Sequence, residues 1–279
     1  MSGQPLPALG VFCPLFVPGD RPDRFAKAVA SGADAVILDL EDAVAPAAKA
    51  QARAAALAFL REPSGVPVGV RVNSPRTAQG CADIVALAEA EAAPAFIAVP
   101  KAETAIDLEI LEEALEARAP LLAIIESPRG VREAAAIAAK AQAGLLFGGA
   151  DYAAAVGAHL EDELAMLFPR GAIVAAAAEA GRPALDVPYL AVADAEGLRA
   201  STRQALALGF TGRACIHPAQ TAIVREAFRP RPEEVERARA ILAAAAAGPG
   251  ALLHEGKLVD APVLRAARRT LARAGLGEP

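Results

Sequence analysis

What is scarce in this chain narrows its function first. Its 279 residues carry 28 Lys and Arg against 33 Asp and Glu, a formal charge of −5. No basic excess is therefore available for non-specific binding to nucleic acid or to an anionic membrane. No apolar run approaches the roughly 18–20 residues that cross a bilayer. The start, MSGQPLPALG, lacks a basic segment followed by an apolar core, so no secretory signal is expected. Cysteine is rare, and Cys13, Cys81 and Cys215 are odd in number, separated, and not in C-x-x-C spacing. They exclude a disulfide framework and a thiolate zinc site, and they fit a reducing cytoplasm.

What is present reads as a globular α/β chain. Apolar residues make up 54% and charged residues 22%, enough to bury a substantial core in one large domain or two ordinary ones. Eight short β-rich runs recur: 11–19, 35–42, 67–74, 95–103, 121–128, 144–151, 183–189 and 212–218. Most are continuously apolar rather than alternating, which suits strands buried on both faces. Ala-rich helical segments lie between them. DRPDRFAKAVASG ends on Gly32, and SPRGVREAAAIAAKAQAG has Ser127 as N-cap and Gly144 just past its end. Eight strand-helix units of about 25–35 residues predict a (β/α)8 TIM barrel. A doubly wound sheet is the competitor, but no G-x-G-x-x-G follows the first strand. The barrel is assigned to residues 1–228 and a C-terminal helical extension to 229–279. That extension contains RPEEVERARAILAAAAAG as one helix and a second helix after Pro262.

Barrel enzymes place their sites at the C-terminal strand ends. Polar residues fall at those ends: Asp39, Glu41 and Asp42; Arg71 and Asn73; Lys101 and Glu103; Glu126; Asp151; Asp186; His217. They are expected to converge on one mouth. His159 and His254 fall outside the strand ends, so a three-His zinc site is not expected. Glu126 and Asp151, oxygen ligands from adjacent ends, suit a hard cation such as Mg2+; the competing reading is a pair of helix N-caps. The glycines before Asp151 allow close approach. Arg71 ends a buried strand and needs an anion, and its planar fork suits a carboxylate. Metal and Arg together suit a 2-oxo or 2-hydroxy carboxylate.

The segments LFVPGDRPDRFAKAVASGADAVILDLEDAVAP, VRVNS, PKAE, IIESPRGV, LLFGGADYAAAVG and GRACIHPAQ resemble, in that order, the citrate lyase β-subunit-like branch of the HpcH/HpaI aldolase superfamily. The resemblance covers nearly the whole chain and is nearest to the stand-alone malyl- and citramalyl-CoA lyases. It implies a Mg2+-dependent lyase (Mn2+ being the alternative ion) acting on a 3-hydroxyacyl CoA thioester to give acetyl-CoA and a 2-oxo acid. It implies Glu126 and Asp151 as metal ligands and Arg71 as the arginine of the substrate carboxylate. Glu41 and Asp42 match an acidic pair near the metal, or else a strand-end cap. GKLVDAP resembles an element in which Asp260 reaches a neighbouring subunit as acid/base; the alternative is Asp260 as a helix cap. A homotrimer or dimer of trimers follows from the same resemblance. Arg21, Arg24 and Lys27 are candidates for the CoA phosphates, or else solvated charge. Three rivals stand beside this reading. They are a citrate lyase β subunit acting on a carrier-bound citryl thioester, a Schiff-base aldolase using Lys101, and a non-catalytic CoA- or acid-binding regulator.

Overall fold

The computed structural model describes residues 13–246, 252–254 and 257–276, with side chains described to 246 and from 259. The segment read for a signal, the glycine-rich break after the eleventh helix, and the side chain of His254 lie outside them. Eight parallel strands run in sequence order: β1 (Pro14–Pro18), β2 (Ala35–Asp39), β3 (Val68–Arg71), β4 (Ile97–Val99), β5 (Leu121–Ile125), β6 (Gly144–Phe147), β7 (Ala184–Asp186) and β8 (Gly212–Arg213). The seam closes through a parallel bridge between Leu15 and Cys215, with Phe16 N donating to Cys215 O at 2.9 Å and Cys215 N to Pro14 O at 2.8 Å. The architecture is a (β/α)8 TIM barrel, as the strand-helix alternation predicts.

The helices that cover it are α1 (Phe25–Val29), α2 (Lys49–Leu60), α3 (Ala78–Glu89), α4 (Ala105–Ala114), α5 (Pro128–Arg132), α6 (Ala134–Lys140), α7 (Gly149–Val156), α8 (Glu163–Glu179), α9 (Ala195–Leu208) and α10 (Pro218–Phe228). Ser127 caps α5, its hydroxyl accepting from Gly130 N at 3.1 Å. Gly144 does not close the helix that follows. The chain leaves helical geometry at Glu133, re-enters as α6, and ends on Ala141, while Gly144 opens β6 at φ +111°. Beyond the barrel come α11 (Pro232–Ala246), a hairpin of β9 (Leu252–His254) and β10 (Lys257–Val259), and α12 (Ala261–Arg273). The last two long helices pack on each other around Ala238, Ala267 and Leu271, a small core of their own.

Strand parity decides what faces the barrel axis. Ala35 and Ile37 of β2, Leu122 and Ile124 of β5, Leu146 of β6 and Leu185 of β7 fill the interior. Val36, Leu38, Ala123, Ile125, Leu145 and Phe147 face the helices. Phe96 packs across the axis because β3 has Gly69 there; a Cβ at that position would lie 2.5 Å from the Phe96 ring. Continuing each inward series by two residues brings Asp39, Arg71, Glu126 and Gly148 to the top of the axis. The fold thus makes a site from side chains in phase with the interior core.

Candidate active site

A cavity of about 460 Å³ opens at that end. Its charged lining comes from Asp39, Asp42, Arg71, Glu126 and Asp151, and its remaining wall is apolar or glycine, including Phe16, Ile124, Leu146, Val187 and Leu190. Four carboxylates therefore face one guanidinium.

Arg71 does not offer its whole fork to a ligand. Its Nε and Nη2 bind Asp39 at 2.7 and 2.6 Å, and its Nη1 lies 3.0 Å from Glu41 Oε2. That Glu41 oxygen is buried and outside hydrogen-bond geometry with any partner. Phe16 stacks under the guanidinium, its ring centre 5.1 Å from Cζ. The anion that justifies burying Arg71 is thus the chain's own Asp39, a role the sequence left unassigned. The same carboxylate holds the acidic turn, accepting from Glu41 N at 2.9 Å and Ala43 N at 3.3 Å. Buried Lys49 reinforces that turn from behind, its ammonium donating to Leu40 O at 2.7 Å and Glu41 O at 2.6 Å.

Lys101 follows β4 with a left-handed backbone, φ +53°. That conformation is uncommon outside glycine, and here it turns the Lys101 amide onto Glu126 Oε1 at 2.6 Å. The Lys101 side chain donates to Glu41 and lies 3.5 Å from Asp42. Burial works against its charge, but the Glu41 bond and the Glu41, Asp42 and Glu126 charges outweigh it and raise its pKa. A Schiff-base nucleophile must be a free amine; here the Lys101 ammonium is engaged by Glu41 and Asp42.

Glu126 is 4% exposed. Burial, then the charges of Glu41 and Asp151, push its carboxyl up to about 8. Gly148 makes room for it, since a Cβ there would sit 2.4 Å from Glu126 Cβ and 2.5 Å from Oε2. Asp151 stands exposed in the first turn of α7. Glu126 is no helix cap, because Ser127 fills that role for α5. A buried carboxyl driven up by neighbouring acids, beside a second carboxylate, suits a hard divalent cation. Among the described residues no group of three or more His, Cys, Asp or Glu side chains is placed to hold a metal ion together.

The expected convergence of all strand-end polar residues is narrower than the sequence suggests. Asp186 is one residue out of phase with inward Leu185 and faces outward. It is fully buried, forks with Arg170 of α8 at 3.1 and 2.5 Å, and also binds Arg213. Asn73 binds Asp83 of α3 at 2.7 Å, and Glu103 pairs with Arg76 at 2.9 Å. His217 caps α10, its Nδ1 accepting from Ala219 N at 3.2 Å. Arg21, Arg24 and Lys27 are exposed in the segment after β1 and do not line the cavity. Arg21 currently forks onto Asp23 at 3.0 Å. Asp260 caps α12, accepting from Val263 N at 3.3 Å, and does not line the cavity of its own chain.

Residues 13–218 match the model of the HpcH/HpaI aldolase/citrate lyase family. The chain belongs to that family. A citrate lyase subunit beta-like protein of Mycobacterium tuberculosis is 41% identical over 268 residues, covering 94% of each chain. The mitochondrial citramalyl-CoA lyase of Homo sapiens is 31% identical over 286 residues, covering 93% of this chain and 84% of the relative. The crystal structure of CitE from Mycobacterium tuberculosis in complex with magnesium, acetoacetate and coenzyme A superposes with a TM-score of 0.82 at 39% identity, covering 96% of this chain and 99% of that one. A citrate lyase beta subunit from the same organism, complexed with oxaloacetate and magnesium, gives a TM-score of 0.70 at 38% identity, covering 80% of this chain and 99% of that one. No described helix is long and apolar enough to cross a membrane.

Proposed function

We propose that the protein is a Mg2+-dependent carbon-carbon lyase of the malyl-, citramalyl- or citryl-CoA type, cleaving a 3-carboxy-3-hydroxyacyl-CoA into acetyl-CoA and a 2-oxo acid. The observation that carries this reading is Glu126. It is a buried carboxyl raised to about 8, beside Asp151 and across the cavity from Arg71. Its chemistry asks for a cation, and its surroundings ask for a carboxylate substrate. The magnesium and coenzyme A in the CitE complex support the same choice of cofactor and substrate for this chain.

Glu126 and Asp151 would hold the ion, which supplies Lewis-acid polarisation of the substrate's oxygens when bound. Arg71, fixed by Asp39, presents positive charge to the substrate carboxylate and offsets charge that develops as the bond breaks. The bond between C2 and C3 of the acyl group breaks. The C3 hydroxyl loses its proton and becomes the keto group of the 2-oxo acid, while the electron pair passes to C2 as the thioester enolate. We assign Asp42, on the cavity wall, to accept the hydroxyl proton, with Glu41 and Lys101 setting its position. Asp260 of a neighbouring subunit delivers a proton to C2, completing acetyl-CoA; acid/base catalysis of this kind contributes about 10²–10⁴-fold. Asp260 stands away from its own chain's cavity, so this role requires a homo-oligomer, a trimer or a dimer of trimers. Arg21, Arg24 and Lys27, exposed in the segment after β1, are assigned to the CoA phosphates. A cytoplasmic setting fits Cys13 and Cys215, whose buried sulfurs lie 3.4 Å apart at the barrel seam and remain thiols.

The test is a product assay with malyl-, citramalyl- and citryl-CoA, following thioester loss and keto-acid formation with Mg2+ and with EDTA. Mg2+-dependent release of equal amounts of the two products is expected. Cleavage that persists in EDTA, or none with any thioester, would refute the reading.

A further inference from the structure

The lyase reading leaves the 2-oxo acid open, and the solved relatives do not choose for this chain. Its own cavity wall does. The only cation among the described lining residues is Arg71, and its charge is already met by Asp39 and Glu41 at 2.6 and 3.0 Å. Lys101 is spent on Glu41 and Asp42, and Lys49 donates to two backbone carbonyls from behind the turn. Glu126 and Asp151 remain to offset a divalent ion. One carboxylate of a ligand can still share that ion and the outer edge of Arg71. A second carboxylate has no cation left.

It would meet carbon or like charge. Away from the four acids, the cavity presents Phe16 and Ile216 on the β1–β8 side and Val187, Pro188 and Leu190 beyond β7. Its floor is Ile124 and Leu146, register partners on β5 and β6. A charged group set against such a wall loses hydration without a partner, whereas a methyl or ethyl group gains from burial.

We infer that the substrate's 2-oxo acid portion is a short aliphatic monocarboxylate such as pyruvate or 2-oxobutyrate, and not the dicarboxylate oxaloacetate. The inference rests on the lyase reading but concerns only the group attached to the keto carbon. It places citramalyl-CoA and its ethyl homologue ahead of citryl-CoA. It also places them ahead of malyl-CoA, since each methylene fitted to an apolar pocket is worth about 10–200-fold in selectivity.

The test has a binding arm and a turnover arm. In the first, Mg2+-loaded protein is titrated calorimetrically with pyruvate, 2-oxobutyrate and freshly prepared oxaloacetate. Pyruvate and 2-oxobutyrate should each bind at least about tenfold more tightly than oxaloacetate. A smaller gap, a reversed order, or binding of none of them overturns the inference. In the second, kcat/KM is measured for citramalyl-CoA and citryl-CoA, with the same minimum ratio expected. Efficient citryl-CoA cleavage would overturn the inference and leave the lyase reading intact. Selective binding of the monocarboxylates with no cleavage of malyl-, citramalyl- or citryl-CoA would sustain the preference for a monocarboxylate and remove the lyase reading.

Discussion

At the scale of single residues, charge burial dominates. The Glu126 carboxyl moves from 4.5 to about 8 on folding. Between those values the folded chain keeps a proton that the unfolded chain has released, so metal-free protein should lose stability as pH rises through this window. The loss is on the order of a few kcal/mol, at about 1.4 kcal/mol for each pKa unit. Thermal melts in EDTA should therefore fall between pH 5 and pH 8 in the wild type, and fall less in Glu126→Gln. Added Mg2+ should restore the wild type at pH 8 and leave the variant unchanged. Equal slopes in the two proteins would show that Glu126 is not the source. Asp39 permits a second experiment. Removing one partner of a buried ion pair costs about 3–5 kcal/mol, and Asp39 holds both Arg71 and the 41–43 turn. Asp39→Asn should lower stability by part of that amount and cut kcat/KM with every thioester. Arg71→Lys keeps the charge but loses the fork, and should weaken 2-oxo acid binding far beyond the ~0–1 kcal/mol of a surface pair. Unchanged KM and kcat would make Arg71 a packing residue.

At the scale of elements, the entry to α7 is built around an absent side chain. Gly148 lets the chain pass so close to Glu126 that a methyl group would overlap its carboxylate. Gly148→Ala should lower Mg2+ affinity about tenfold or more, because the ligand oxygen itself must move. Gly171 in α8 is the control, with nothing within 4 Å of its added Cβ. Gly171→Ala should stabilise the helix by about 0.5–1 kcal/mol and leave metal binding alone. A calorimetric titration of both variants decides whether the glycine acts through Glu126 or through general packing.

At the scale of the whole molecule, the question is where Asp260 works. In its own chain it caps α12, and Asn caps about as well as Asp. If capping were its whole role, Asp260→Asn would be almost silent. As the acid of a neighbouring site, the same change should nearly abolish acyl-CoA turnover while Mg2+ and 2-oxo acid binding persist. Co-refolding inactive Asp260→Asn with inactive Glu126→Gln should then recover part of the activity, through sites that draw each residue from a different chain. Verified mixed oligomers with no activity would rule out the shared site.

The barrel was legible in the chain because strand-helix periodicity is local. Eight apolar runs bounded by breakers fall on the eight strands, and Ser127 before Pro128 marks the start of α5 correctly. Glu126 and Asp151 stood out as candidate ligands for a similar reason: each follows a buried strand end, and polar residues recur at those ends along the chain, although a helix N-cap was the competing reading for both. Parity was hidden. When both faces of a strand are apolar, no alternation tells which residues point to the axis, so Asp186 and Glu126 look alike in the sequence. Only the closed barrel separates them, turning Asp186 onto Arg170 and Arg213 and Glu126 into the cavity. Pairings between distant strand ends were equally hidden. Arg71 reads as a free clamp until β2 and β3 stand side by side and Asp39 fills its fork. The sequence by itself determined the elements and the kinds of chemistry at their ends. The tertiary structure decided which charges meet, because that depends on strand register and closure, to which residues far apart in the chain contribute together.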